Sequence, residues 1–184
     1  ADCMEGQFEF TSAEEELLMV QLLEERNSVE ITRIARSLLK RASARYLYFP
    51  HNFSKDGKPL ATIGIIREEY DRCNPESNLQ VSYEYASGLG VSILKKVQAE
   101  NAADGRQEAG SFRWLGNGRT IFNNKGNAVL EYDPYFSEEP QYEDSAEMVE
   151  QGVSPVLHYD PLGRVIRVDM PDGTFQKEEF NPWM

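Results

Sequence analysis

Residues 1–45 carry the hydrophobic spacing of helices. Ser12 followed by Glu15 is a capping-box pattern, and the acidic residues around it favour a helix N-terminus, so a helix is predicted from about Ala13 to Arg26. After a short polar break, apolar side chains recur every three or four residues, at Ile31, Ile34, Ala35, Leu38, Leu39 and Ala42. This spacing predicts a second, amphipathic helix that faces a core.

From Tyr46 onward, apolar positions alternate with polar ones in short runs that are rich in β-branched and aromatic residues. The polar stretches at 101–110 and 137–152 lack this alternation and are predicted to be loops. The alternating runs predict strands near Tyr46–Phe49, Leu60–Tyr70, Leu79–Tyr85, Val91–Gln98, Phe112–Leu115, Arg119–Asn123, Ala128–Tyr132, Pro155–Tyr159, Arg164–Asp169 and Thr174–Phe180.

The turn residues indicate that these strands form antiparallel hairpins. In the segment from Asp160 to Gly163, Asp, Pro and Gly occupy the positions that a type I turn favours, and 171–174 (PDGT) supplies a second turn directly afterwards. Gly116-Asn117-Gly118 is predicted to be a further hairpin turn, because Asn-Gly favours the primed turn types. We therefore expect an α+β fold: a helical segment at 1–45 followed by an antiparallel, hairpin-rich β-region at 46–184, together forming one structural unit.

A loose repeat runs through the β-region. Gly90, Gly126 and Gly163 each follow an aromatic residue by four or five positions, and they lie 36 and 37 residues apart. Hairpin pairs stacked into a larger sheet would produce such an interval, although three occurrences also leave chance open.

Composition narrows the function classes. Of 184 residues, 40% are hydrophobic and 27% charged, as in globular proteins, and the formal net charge of -12 disfavours nucleic-acid binding. No apolar stretch is long enough to cross a bilayer as a helix, and residues 1–10 lack the pattern of a secretory signal peptide. The two cysteines, Cys3 and Cys73, are too few for a disulfide framework, and whether they pair stays open.

The segment from Arg113 to Trp183 resembles the RHS/YD-repeat family. The features that carry this resemblance are the Tyr-Asp dipeptide at 159–160, the Gly-Arg that follows it, and the Pro-Asp-Gly-Thr turn. More narrowly, 31–184 is similar to the C-terminal half of the B component of bacterial insecticidal toxin complexes, in the virulence-plasmid toxin family; 81–100 matches in part. Within 87–91 (SGLGV) an expected acidic residue is absent, and Val91 stands where the family often has Arg.

The resemblance implies a structural role. Members of the family wind β-sheets into a hollow shell that encloses a toxic effector, so the expected partners are other shell segments, subunits of a toxin complex and the effector itself. The expected location is secreted or on the bacterial cell surface. A chain of this length would be a piece of the shell wall or a small relative. The expected scaffold positions of the repeat are Asn124, Gly126, Tyr159, Asp160, Pro161, Gly163, Arg164, Asp172, Gly173 and Trp183.

Residues with catalytic chemistry form no recognisable site. His51 and His158 lack the spacing of metal ligands, and Cys73 has no local nucleophile signature. Adjacent acidic residues are common in an acidic chain, and we expect them to be exposed to solvent. The aspartyl protease associated with the partner C component is not carried over, because 160–163 (DPLG) continues into a strand. We therefore expect no enzymatic activity, no cofactor and no metal.

An alternative comes from the aromatic residues along the strands, such as Tyr83, Trp114, Phe122 and Tyr159. They are typical of cross-strand packing, yet they would also suit an independent β-rich module that binds a glycan or a protein partner.

Overall fold

The computed structural model describes residues 12–52, 54, 57–100, 112–143 and 154–181. Cys3, Trp183, the predicted loop at 101–110 and residues 144–152 of the second predicted loop lie outside the described residues. Within the described ranges the chain forms two helices and eleven strands, all of which pair antiparallel. None of the described helices is both long and apolar enough to cross a membrane.

The helices are α1 (Ala13–Glu24) and α2 (Ser28–Leu39). Ser12 caps α1 by accepting a hydrogen bond from the Glu15 N–H at 3.2 Å, as the capping pattern predicts. Asn27 caps α2 in the same way. The predicted apolar face of α2 is confirmed as far as Leu39. Ala42 was wrongly included in it, because the helix ends before this residue, which is exposed.

The strands form two sheets. Sheet A has the order β1-β2-β3-β4-β5-β8, and sheet B has the order β11-β10-β9-β7-β6. The strand bounds are β1 (Ala44–Phe49), β2 (Leu60–Arg67), β3 (Leu79–Ala86), β4 (Ser92–Ala99), β5 (Arg113–Asn117), β6 (Thr120–Phe122), β7 (Ala128–Glu131), β8 (Tyr135–Ser137), β9 (Val156–Tyr159), β10 (Val165–Asp169) and β11 (Phe175–Lys177).

Both helices pack on one face of sheet A and form the main core with it. Alternate residues of β2 and β3 point to this face, and the register places Ile63 directly opposite Tyr83. The fully buried Tyr83 donates a hydrogen bond through its hydroxyl to the Leu22 carbonyl of α1 at 2.9 Å. Its ring meets Trp114 edge to face at 5.1 Å. The two helices and sheet A therefore share one hydrophobic core.

Ten predicted strands are present, and two of them end three residues earlier than expected. β2 ends at Arg67 rather than Tyr70, and β11 ends at Lys177 rather than Phe180. One strand, β8, was missed, because it has only three residues and lies inside an acidic, proline-flanked stretch. The hairpin predicted at Gly116-Asn117-Gly118 is wrong. Gly118 adopts a φ of +72°, and the chain leaves sheet A there to enter sheet B.

A strained turn connects α2 to sheet A. The Ala42 N–H donates to the Leu39 carbonyl at 3.0 Å, which places Lys40 at the second position of the turn with φ 52° and ψ -121°. These angles correspond to a type II′ turn, whose second position favours glycine. Lys40 is held there by two contacts: its side chain pairs with Glu15, and its carbonyl accepts a hydrogen bond from the buried Arg67 at 2.6 Å.

We predict that Lys40→Gly is more stable than Lys40→Ala. Both variants lose the ion pair with Glu15, but only alanine keeps a Cβ in the left-handed region, so the difference in free energy of unfolding should be about 1 kcal/mol. Urea denaturation of the two variants measures it directly. An alanine variant as stable as the glycine variant would show that the turn carries no strain.

Candidate functional site

Four hairpin turns share one backbone arrangement. They comprise residues 87–91, 123–127, 160–164 and 170–174. In each, the N–H of the fourth residue donates to the first carbonyl, and the first N–H donates to the fifth carbonyl, at distances of 2.8 to 3.1 Å. The fourth residue is always a glycine with φ between 77° and 84°. This is the geometry of a type I turn followed by a glycine bulge, so a glycine is required at this position.

The first side chain of three of these turns stabilises the loop from within. The Asp160 carboxylate accepts hydrogen bonds from the Leu162 and Arg164 N–H groups at 2.8 and 2.9 Å, and the Asn123 side chain accepts two in the same way. The backbone N–H of Arg164 and its guanidinium together hold the pKa of Asp160 below its ordinary value. Ser87 repeats the pattern with one bond to the Val91 N–H.

The second and third turns lie side by side at the same end of sheet B. The Lys125 ammonium donates to the Pro161 carbonyl at 2.9 Å, and the Asn127 side chain lies next to Gly163, 3.6 Å from where a Cβ would stand. The Tyr159 hydroxyl donates to the Ala128 carbonyl at 2.5 Å and so links β9 to β7. The interval between Gly126 and Gly163 therefore corresponds to neighbouring hairpins stacked in one sheet.

Sheet B contributes little buried surface. Every residue in its five strands remains at least partly exposed, whereas most of the buried core residues come from the helices and sheet A. Instead, two arginines stack on aromatic rings, Arg164 on Phe180 at 4.2 Å and Arg167 on Phe175 at 4.5 Å. Sheet B thus depends on turns and surface contacts more than on a core.

Most of the scaffold positions expected from sequence take part in the turns and contacts of sheet B. Gly126, Gly163 and Gly173 hold the positive φ of their turns, and Asp160, Arg164 and Tyr159 make the contacts described above. Asp172 accepts hydrogen bonds from the Thr174 N–H and hydroxyl, which hold its pKa below its ordinary value.

Asn124 is exposed, and the neighbouring Asn123 provides the hydrogen bonds of its turn. Aligning the second turn with 160–164 on their glycines places Asn123 opposite Asp160, a signal that was available from sequence. Pro161 lies at the turn tip, and Trp183 lies outside the described residues.

A buried lysine, which sequence reasoning missed, lies in the middle of sheet A. The register places Leu47, Ile63, Tyr83, Lys96, Gly116 and Tyr135 in one row across all six strands. Lys96 is fully buried, and its ammonium lies 2.9 Å from the Ser137 hydroxyl, 2.8 Å from the Glu139 carbonyl and 2.9 Å from the Glu143 carboxylate.

Tyr135 can pack across this row because Gly116 has no side chain. The Tyr135 ring lies over Gly116, only 2.6 Å from where a Cβ would stand, and its hydroxyl donates to Glu143 at 2.8 Å. Burial raises the pKa of Glu143, but hydrogen bonds from Ser137 and Lys96 together with the Lys96 charge outweigh it, so the net pKa is lowered. The cluster ties the edge strand β8 and the segment 138–143 to the centre of sheet A.

The chemistry of this cluster is that of a structural ion pair. A serine beside a lysine resembles a nucleophile and its base, but here the lysine contacts a carboxylate that is held ionised, and the serine hydroxyl is itself hydrogen-bonded to Glu143. Among the described residues no group of three His, Cys, Asp or Glu side chains is arranged to hold a metal ion. Cys73 is exposed, and His158 lies on the surface of sheet B, 2.8 Å from Asp169.

The chain is similar in fold and sequence to parts of solved toxin-complex structures. The crystal structure of TcdB2-TccC3 matches 76% of this chain at 28% identity with a TM-score of 0.63, and that of TcdB2-TccC3-Cdc42 matches 68% at 29% identity with a TM-score of 0.56. The match covers 7% and 6% of those chains, so this chain spans a small fraction of their length. No protein-family model and no curated protein matches the sequence. Fold and sequence together support a relation to toxin-complex components.

We predict that Gly163→Val destabilises the chain while Gly88→Val leaves its stability nearly unchanged. Both glycines are exposed turn residues, but only Gly163 has a positive φ, and a β-branched side chain there costs about 1 to 3 kcal/mol. Thermal unfolding of the two variants gives the comparison. Equal losses would mean that the turn geometry does not limit stability.

A double-mutant cycle tests the buried ion pair. Lys96→Met or Glu143→Leu alone should cost about 3 kcal/mol, because each removes one charge of a buried pair and leaves the other one buried, whereas the two substitutions combined should cost clearly less than the sum. Additive losses in urea denaturation would contradict a direct pairing.

The same pair predicts a pH dependence. Because the pKa of Glu143 is lowered in the folded state, its stabilisation is complete above the unfolded pKa of about 4.3 and is lost as the pH falls through the folded value. The fall in stability of the wild type between pH 5 and pH 2 should therefore be larger than that of Lys96→Met. Parallel profiles would contradict the assignment.

Proposed function

We propose that the chain forms part of the wall of a hollow β-shell in a secreted bacterial toxin complex, where the shell encloses a toxic effector polypeptide. In this role the chain is structural and non-enzymatic. Its partners are further segments of the shell, other subunits of the toxin complex and the enclosed effector.

The observation that carries the proposal is the shared fold with toxin-complex structures, combined with a match to only a small part of each of them. A chain that corresponds to a small piece of a much larger protein is expected to have surfaces shaped for the neighbouring pieces. The stacked turns at 123–127 and 160–164 support this interpretation, since they show how one hairpin lies against the next.

One place for a further strand is the outer edge of β11. The Met170 N–H donates to the Thr174 carbonyl and the Glu178 N–H to the Ile166 carbonyl, so the register directs the backbone of Gln176 toward β10. The backbone groups of Phe175 and Lys177 consequently point outward, and both side chains are exposed. These unpaired groups are available to a further strand, although the edge is only three residues long and carries Lys177.

A test follows from this edge. Sedimentation velocity of the purified chain should show association that increases with concentration, and Lys177→Pro should reduce it because proline removes an outward N–H. Lys177→Thr, which keeps the N–H, should associate like the wild type. Protection of an unfolded reporter polypeptide from protease should accompany the association.

A strictly monomeric chain that leaves the reporter fully digestible would contradict the shell and favour an independent binding module. A chemical turnover that disappears on changing one acid or histidine would contradict the non-enzymatic role.

A further inference from the structure

The opposite edge of the fold, β1, also presents free backbone groups. The Arg67 N–H donates to the Ser43 carbonyl at 2.9 Å, which identifies the residue pairs of β1 and β2 that exchange hydrogen bonds. By alternation, the N–H and C=O groups of Ala44, Tyr46 and Tyr48 point away from β2. Among the described residues no strand pairs with this side of β1.

The edge lacks the proline and the β-bulge that often prevent strand pairing. Its sequence (ARYLYF) contains no proline, and its register with β2 is continuous from Ala44 to Phe49 without a bulge. The charge of Arg45 is turned inward, where it bonds to the Leu38 carbonyl and to Glu15. The side chains of Tyr46 and Tyr48 are 55% and 66% exposed, so the strand is open to a partner.

A groove lies beside this edge, between α1 and the end of β1. It has a volume of about 380 Å³, and its apolar lining includes Met19, Val20, Leu23, Phe49 and Pro50. α1 runs alongside β1, since Glu15 in its first turn meets Arg45 near the start of the strand. A strand added to β1 would direct every second side chain toward α1 and into this groove.

Two carboxylates flank, in sequence, the apolar α1 residues that line the groove. Glu16 and Glu24 both line it, and neither takes part in an ion pair among the described residues. Eight residues along a helix span about 12 Å, at about 1.5 Å per residue. Residues i and i+4 of an extended strand lie about 13 Å apart and on the same face. Two basic residues at that spacing would therefore meet both carboxylates, with the residue between them, i+2, over the apolar lining.

We propose that the groove between α1 and β1 binds an extended peptide segment of the pattern basic-x-apolar-x-basic, which pairs with β1 as an additional strand. Backbone hydrogen bonds to Ala44, Tyr46 and Tyr48 provide affinity, and the groove selects the apolar and basic side chains. Glu16 and Glu24 favour a basic segment as the occupant of this groove over a second copy of the chain, whose one Lys/Arg match to the pattern, 36–40, lies in α2 and its C-cap. The inference uses β1 and is independent of the shell proposed from β11.

Fluorescence anisotropy with synthetic peptides tests the pattern. The labelled peptide acetyl-Thr-Lys-Thr-Val-Thr-Lys-Thr-amide should bind the full chain saturably. A rearranged peptide, acetyl-Thr-Thr-Lys-Val-Lys-Thr-Thr-amide, has the same composition and charge but places lysine and valine on opposite faces of the strand, so it should bind at least fivefold more weakly. The version with glutamate in place of lysine should not bind.

Variants of the chain separate the contribution of backbone pairing from that of the two carboxylates to peptide binding. Tyr48→Pro removes an outward N–H without touching the pairs that β1 makes with β2, and it should weaken binding at least tenfold relative to Tyr48→Thr, which keeps the N–H. Glu16→Gln combined with Glu24→Gln should weaken binding about fivefold and flatten its salt dependence. Circular dichroism and thermal unfolding verify that each variant is folded.

Three results would overturn the proposal. The first is equal binding of the original and the rearranged lysine peptide, because it would reduce the interaction to general charge attraction. The second is equal binding by Tyr48→Pro and Tyr48→Thr. The third is no binding of any peptide together with self-association that Tyr48→Pro abolishes, which would make a second copy the occupant. None of these results depends on whether Lys177→Pro changes the association of the chain, so the two proposals fail separately.

Discussion

Covering the apolar face of a β-sheet is the constraint on which this structure depends. Sheet A meets it internally, because α1 and α2 pack across one of its faces and bury a continuous core from Leu22 to Trp114. Sheet B meets it only in part: Ile121, Phe122 and Leu130 pack against this core, but all of its strand residues remain at least partly exposed. The two sheets of one short chain therefore differ in how far they can be stable alone. This difference is why the proposed role involves neighbours.

The turns allow hairpins to repeat without a large core. Each of the four glycine turns satisfies its own backbone groups, and in three of them the first side chain adds hydrogen bonds within the loop. Stability from such local contacts is modest, but it is available wherever the turn sequence occurs. The edge strand β8 of sheet A is held in another way, through the buried ion pair between Lys96 and Glu143. Removing either partner of such a pair is costly, whereas the intact pair adds little net stability.

Local patterns predicted the local structure well. The cap at Ser12, the apolar face of α2 and the turn at 160–164 depend on residues close together in sequence, so they could be read directly. The departure of the chain from sheet A at Gly118 could not, because an Asn-Gly pair has the same local chemistry in a hairpin and in a corner between sheets. Lys96 in the sequence looks like a surface residue of a strand. Its burial depends on Gly116, Tyr135 and Glu143, which only the fold brings together.

Amide hydrogen exchange on the isolated chain tests the central claim most directly, because it reports the stability of each sheet separately. The account predicts that amides in β2 and β3 exchange with the free energy of global unfolding. Amides in β9 and β10 should exchange at least about 100-fold faster, a difference of about 2.7 kcal/mol in opening free energy. Equal protection of the two sheets would contradict it, since sheet B would then be stable without neighbours.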